Sequence, residues 1–195
     1  SFFTYEGTPI ILKDSDVTVA TYDDKDKPIA VLTASRDFEL AEEYTFTDVG
    51  TYDVKILGIG NYLGELYGKI TIEPLAMSDT NIEIGEITDR IFDGGAHTPS
   101  PSVYHLMAGK NGPKKRLTLN KDYSLNYQNN QKANSDADGV PFLGPNSEDD
   151  LSIITIRGEG NFTDQISKRF KIRPTPLTVY PKEGQHAFYG IDQNS

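Results

Sequence analysis

Gly58-Ile59-Gly60-Asn61-Tyr62 returns 100 residues later as Gly158-Glu159-Gly160-Asn161-Phe162, and the reading of this pair decides the fold. Ahead of the first copy Val54 and Ile56 alternate with Asp53 and Lys55; behind it Leu66, Ile70 and Ile72 alternate with Tyr67, Lys69 and Thr71. A period of two marks half-buried strands. The second copy repeats the pattern, with Ile154, Ile156, Ile166, Phe170 and Ile172 on one face and Thr155, Arg157, Arg169 and Lys171 on the other, and Pro74 and Pro174 close the two runs. Gly and Asn accept positive φ at low cost, so each copy predicts an antiparallel hairpin turning at Gly-Asn. Two such hairpins in one chain predict a tandem array of β-units.

Other signposts keep the same order. Tyr5-Glu6-Gly7 matches Phe92-Asp93-Gly94, and Arg36-Asp37-Phe38 matches Lys121-Asp122-Tyr123. Between these, short strands are expected at Phe2 to Tyr5, Ile10 to Leu12, Val17 to Val19, Ile29 to Leu32, Arg36 to Leu40, Tyr44 to Phe46 and Thr51 to Val54, with Asp14-Ser15-Asp16 as a break and a polar loop from Tyr22 to Pro28. Ile82, Ile84 and Ile87 fit the first edge strand of the second unit. The linker between units is poor in Gly and Ser, which predicts a stiff junction. Asp37 to Gly58 spans 21 residues and Asp122 to Gly158 spans 36, so the second unit carries 15 extra residues, placed by their turn formers near 135–149. Leu177-Thr178-Val179-Tyr180 and Tyr189-Gly190 begin the pattern a third time.

The expected architecture is all-β: two tandem immunoglobulin-like β-sandwich domains plus the opening strand of a third. The boundaries are 1–76, 77–175 with the inserted loop near 135–149, and 176–195 as the start of a third repeat or a C-terminal extension. The cores are expected at Ile56, Ile70 and Ile72 in the first and Ile156, Phe170 and Ile172 in the second.

Composition limits the function. The chain of 195 residues has no Cys and no Trp, which removes disulfides, thiol nucleophiles and thiolate metal sites. A net charge of −10 disfavours nucleic acid and anionic membrane as partners. No run reaches the roughly 18 apolar residues of a membrane span, and none resembles a signal peptide.

The motifs of hydrolases, P-loop enzymes and zinc proteases are absent from the sequence. Asp23-Asp24-Lys25-Asp26 reads as a solvated loop, since its lysines weaken the field a calcium ion needs. Asp136, Asp138, Glu148, Asp149 and Asp150 form a second acidic cluster around the insertion. His97, His105 and His186 lack the spacing of a zinc site and are expected at the surface. Glu42 and Glu43 are adjacent carboxylates of the sort chance supplies in a chain with 29 acidic residues. Tyr62 and Tyr67 offer faces for sugar stacking or, equally, cross-strand packing. Asn161-Phe162-Thr163 matches a glycosylation acceptor but belongs to the repeated turn and is read as structural. No catalytic, cofactor-binding or metal-binding residue is assigned, no cofactor is expected, and the ligand-binding residues are unknown.

The aromatic-acidic-Gly openings, Tyr127-Gln128-Asn129-Asn130 and the two Gly-x-Gly-Asn-aromatic turns resemble the tandem bacterial immunoglobulin-like repeats of the YDG/MBG type found in large cell-surface proteins. Asp164 stands where Gly64 and the family's usual Gly stand. The resemblance, spanning roughly residues 3 to 190, implies an extracellular, surface-attached array. Within it the chain is expected to be a non-catalytic, monomeric spacer whose partners are the neighbouring repeats; the alternative is an adhesive module that binds host glycan or matrix protein through the insertion.

Overall fold

The structure, a computed structural model, describes residues 2–107, 109, 111–134 and 151–175. Its regular structure is all β apart from one turn of 3-10 helix at Asp14–Asp16, and the fold is of the all-β sandwich type. The expected insertion at 135–149 and the start of a third repeat at 176–195 lie outside the described residues.

The first repeat is built on β1 (Phe2–Thr4), β2 (Ile10–Ile11), β3 (Ala20–Tyr22), β4 (Pro28–Val31), β5 (Phe38–Leu40), β6 (Thr45–Phe46), β7 (Gly50–Gly58) and β8 (Glu65–Glu73). A four-stranded sheet runs β1-β8-β7-β5, while β2 pairs with β6 and β3 with β4. The hairpin of β7 and β8 is the longest pairing, from Gly50 opposite Ile72 to Leu57 opposite Glu65. Its alternation places Val54, Ile56, Ile70 and Ile72 in the core, each at most 5 % exposed. Leu66 shares their expected face, yet it is 54 % exposed.

After the two-residue β9 (Leu75–Ala76), the second repeat follows with β10 (Ile82–Ile84), β11 (Arg90–Ile91), β12 (Val103–Leu106), β13 (Lys114–Arg116), β14 (Tyr123–Gln128), β15 (Ser152–Gly158), β16 (Phe162–Thr163), β17 (Gln165–Phe170) and β18 (Ile172–Arg173). The correspondence with the first repeat holds bond by bond. Tyr5 N–H donates to the Glu73 carbonyl and Phe92 N–H to the Arg173 carbonyl, after parallel pairings of β1 with β8 and of β11 with β18. Leu32 N–H donates to the Val19 carbonyl and Leu117 N–H to Val103, so β12 and β13 stand for β3 and β4. The sheet β14-β15-β17 stands for β5-β7-β8.

The hairpin tips are equally alike. Gly60 and Gly160 both have φ of 64°, in the left-handed region that glycine enters without a Cβ penalty. Gly58 N–H donates to the Gly64 carbonyl and Gly158 N–H to Asp164, and Asp164 itself adopts φ of 60°. Asp is among the few residues that tolerate this conformation as a single residue, which is how it replaces Gly64, whose φ is 115°, and keeps the closing bond.

Several strand boundaries differ from expectation. The strand expected at Val17 to Val19 starts at Ala20, because Asp14–Asp16 is a helical turn: Asp16 accepts from Lys13 N–H, and Asp14 accepts from Leu40 N–H and the Ser35 hydroxyl. Arg36 and Asp37 belong to a turn rather than to the strand beginning at Phe38. Asp37 accepts from Thr33 N–H at 2.8 Å and Asp122 accepts from Thr118 N–H at 2.8 Å, while Ser35 and Asn120 carry positive φ. The repeated acidic residue is thus a turn lock. The Arg36 guanidinium and the Thr33 amide hold the Asp37 carboxyl below the ordinary carboxylate range. Lys171, expected on the open face, is half-buried and its amide donates to Asp89.

The two cores are continuous. One cluster of buried side chains runs from Leu12, Phe46 and Ile72 through Leu75 and Met77 to Val103, Ile154, Ile156 and Ile172. A smaller cluster of Val19, Phe38 and Ile56 lies apart at one side of the first repeat.

Candidate functional site at the junction of the repeats

Where the first repeat meets the second, the tip of the second hairpin inserts against the linker. β9 and β16 pair in parallel, with Leu75 opposite Phe162 and Ala76 opposite Thr163. Leu75 N–H donates to the Asn161 carbonyl at 3.1 Å, and Met77 N–H to the Thr163 carbonyl at 2.9 Å. The Asn161 side chain completes the clamp: Oδ1 accepts from Val49 N–H at 2.8 Å, and Nδ2 donates to Asp48 Oδ1 at 2.8 Å. One carboxamide, a donor and an acceptor in one plane, therefore satisfies both a loop amide and a carboxylate of the other repeat.

The neighbouring aromatic seals the contact. Phe162 meets Tyr5 edge-on with centroids 5.5 Å apart and His105 edge-on at 5.7 Å, while Tyr5 and His105 stack at 5.7 Å. All three residues are buried, as are Leu75 and Met77. Gly7 makes room: a Cβ there would lie 2.9 Å from Met107 Cγ and 3.0 Å from the His105 ring, and its φ is 77°. Burial pushes the Tyr5 phenol above its usual range, partly offset by hydrogen bonding to Asn161.

His105 corrects the expectation of a surface histidine. It is 1 % exposed, and among the described residues its Nδ1 has no hydrogen-bond partner. Burial, reinforced by Lys115, lowers its basicity, with Asp79 and Glu6 opposing. His97 is not at the surface either; its ring is largely covered and lies 3.4 Å from Asp93 Oδ1. Each has its own cause. The pleat turns β12 inward at Val103 and His105, and the His97 backbone is pinned by Asn130.

A cleft of about 510 Å³ opens beside the junction, lined by Tyr5, Glu6, Asp79, Asn81 and His105. Its chemistry is thin. Among the described residues no three His, Cys, Asp or Glu side chains are grouped to hold a metal ion. In the acidic loop Asp23 Oδ1 is used on the chain itself, accepting from Lys25 and Lys27 N–H, and Glu42 and Glu43 are exposed. Tyr67 is 72 % exposed and Tyr62 half-buried.

The sequence pointed to Asn161 and Phe162 as structural but not to their acceptors. Asp48 and Val49 fall between the strands expected at Tyr44 to Phe46 and Thr51 to Val54, and Leu75 and Met77 fall at the expected boundary between the units. Their role depends on two repeats meeting, which leaves no local pattern. Compared with known proteins, the chain matches no family model and no curated sequence. Among the described residues no helix is long and apolar enough to cross a membrane.

Proposed function

We propose that this chain is a non-catalytic spacer, a segment of an extracellular, cell-surface array of YDG/MBG-type repeats that holds other domains at a set distance. A spacer must transmit position from one unit to the next, and that requires a junction that does not bend freely. The observation that carries the reading is the Asn161 and Phe162 clamp, in which backbone pairing, a two-way carboxamide and a shared aromatic cluster join the units. Contacts between domains within a chain are commonly polar and mobile; here the apolar core continues through Leu75 and Met77. The net charge of −10 suits a solvated segment that presents other domains.

The chain lacks cysteine, so single pairs can be introduced for spin labelling. Labels at the exposed positions Lys25→Cys and Lys132→Cys report on opposite sides of the junction. Pulsed electron resonance is expected to give one narrow distance distribution that broadens on Phe162→Ala. A broad or multiple distribution in the otherwise unaltered chain would overturn the spacer reading.

A further inference from the structure

The second repeat owns a strand that the first does not have among the described residues. β10 pairs antiparallel with β12, Ile82 opposite His105 and Ile84 opposite Val103, with flanking bonds from Gly85 N–H to the Ser102 carbonyl and from Leu106 N–H to Asn81. Ile82 and Ile84 pack on the core, and Glu83 on the outer face binds Lys114, whose ammonium also lies 4.3 Å from the Tyr104 ring centre. β12 is therefore a central strand. Among the described residues its counterpart β3 is paired only with β4, so the edge that β10 covers in the second repeat has no such cover in the first.

Several large apolar side chains around that edge are exposed, although Thr18 and Lys69 also line the groove beside it. Tyr22 is 59 % exposed on β3, Ile29 and Val31 are 67 % and 69 % exposed on β4, and Leu66 and Tyr67 are exposed on the adjoining strand. A groove of about 530 Å³ runs between Val19, Ala20, Ile56, Leu66, Tyr67 and Ile70. By contrast β13, standing where β4 stands, carries Lys114-Lys115-Arg116. Charge is the usual protection of a free strand edge, and the first repeat lacks it where the second has it.

The tip of the first hairpin is open in the same way. Tyr62 and Leu63 stand where Phe162 and Thr163 pair with β9, and Leu63 is fully exposed. In the second repeat one continuous segment serves both places: Leu75-Ala76 lies on the hairpin tip and Ile82-Glu83-Ile84 lies on the edge of β12. Two separate vacancies of the first repeat thus match two contacts of a single piece of chain.

We propose that the β3 edge and the Tyr62-Leu63 tip together form an acceptor site for an extended segment of the residue 75–84 kind, carried by another repeat of the same polypeptide and not by a second copy of this chain. The inference rests on the spacer reading only for the source of the segment; the site itself stands on the comparison of the two repeats. Alternation of bonded and non-bonded pairs fixes which groups receive it. Val19 and Thr21 face β4, so the Thr18 and Ala20 amides face the open edge, as Ser102 and Tyr104 face β10. The incoming strand needs apolar residues at alternate positions, set opposite Val19 and Thr21 as Ile84 and Ile82 are set opposite Val103 and His105.

The test supplies the segment in cis to the full chain. Ile84 precedes Phe92 by eight positions, and a second copy of residues 73–87 fused directly before Ser1 sets its Ile84 the same eight positions ahead of Tyr5. The expected result is a rise of about tenfold or more in hydrogen-exchange protection at Ala20, with a higher unfolding temperature for the first repeat. Ile82→Asp with Ile84→Asp in the added copy is expected to abolish both gains, while leaving the chain as stable as it is without the addition. Unchanged protection at Ala20 in a folded chain would overturn the proposal, as would protection arising at β4 instead. Concentration-dependent protection of Ala20 without the added copy would equally overturn it, by making a second copy the occupant. The label distances across the junction are read separately, so failure of this site and failure of the spacer reading are distinguishable.

Discussion

Tyr62 and Phe162 occupy the same place in two hairpins closed by the same backbone bonds, yet Phe162 is 4 % exposed between Tyr5 and His105, while Tyr62 is only half-buried beside a fully exposed Leu63. Asn161 spans Asp48 and Val49, whereas Asn61 is exposed at the surface. The turn is therefore a property of local sequence, needing only residues that accept positive φ at Gly60 and Gly160 and at Gly64 and Asp164. Burial of the tip is a property of what lies beyond it. The two tips thus share a turn and differ in whether a linker pairs with them.

The largest expected effect separates core from open edge. Ile156 is fully buried, and Ile156→Asp places an unpaired carboxylate there, expected to cost about 4 kcal/mol or more and to unfold the second repeat. Leu66 lies on the corresponding face of the first hairpin but borders the open groove, so Leu66→Asp is expected to cost less than about 1 kcal/mol. Thermal unfolding of the two variants checks this, with Lys168→Asp, at an exposed position of β17, as the control. Equal losses would mean that the groove is closed.

Next comes the tip itself. Phe162→Ala is expected to cost about 3–5 kcal/mol, the range for removing a buried aromatic side chain, while Tyr62→Ala is expected to cost less than about 1 kcal/mol. Denaturant unfolding measures both. A similar cost at the two tips would show that Phe162 matters to its own hairpin rather than to the junction.

Asn161→Ala tests the polar half of the clamp against Asn61→Ala. Loss of the carboxamide leaves Val49 N–H without its acceptor, an expected cost of about 1–2 kcal/mol, against none measurable at Asn61. The variant also bears on the acceptor sequence Asn161-Phe162-Thr163. Both amide atoms are engaged across the junction, so a glycan on Asn161 Nδ2 would crowd the Asp48 contact even though one N–H remains to donate. A fully glycosylated chain whose unfolding temperature is unchanged would contradict this assignment.

These contrasts also show how far the sequence could be read. The hairpins, their faces and the pairing of Tyr5 with Phe92 and Asp37 with Asp122 follow from period and spacing, because each is written within one strand or one turn. What the spacing does not carry is contact between elements. Asp37 and Asp122 read as strand residues because a side chain locking a turn has no periodicity, and the 3-10 turn at Asp14–Asp16 looked only like a break between strands. Leu66 reads only as lying on the face of Ile70 and Ile72, because alternation names a face and says nothing about whether another strand covers it. The junction shows in the sequence only as a linker poor in Gly and Ser. Its residues come from positions as distant as Val49 and Asn161, brought together by the way the second hairpin meets the first repeat.

The smallest expected effect concerns His105, whose counterpart in the first repeat, by the register of β3 and β12, is Thr21, a residue with nothing to titrate. Burial lowers the affinity of the folded imidazole for a proton, Lys115 adds to this, and Asp79 and Glu6 work against it. The unfolded chain, with an ordinary imidazole near 6.5, therefore binds more protons than the folded chain below that value. The contribution is complete above the ordinary imidazole range and is lost as the pH falls below it, so acid weakens the junction before most carboxylates titrate. His105→Gln keeps a polar group of similar size and removes the charge. Between about pH 8 and pH 5, the unfolding temperature of the unaltered chain is expected to fall more steeply than that of the variant. Identical slopes would mean that His105 takes up its proton in the folded state as freely as in the unfolded one, which a ring packed between Tyr5 and Phe162 should not allow.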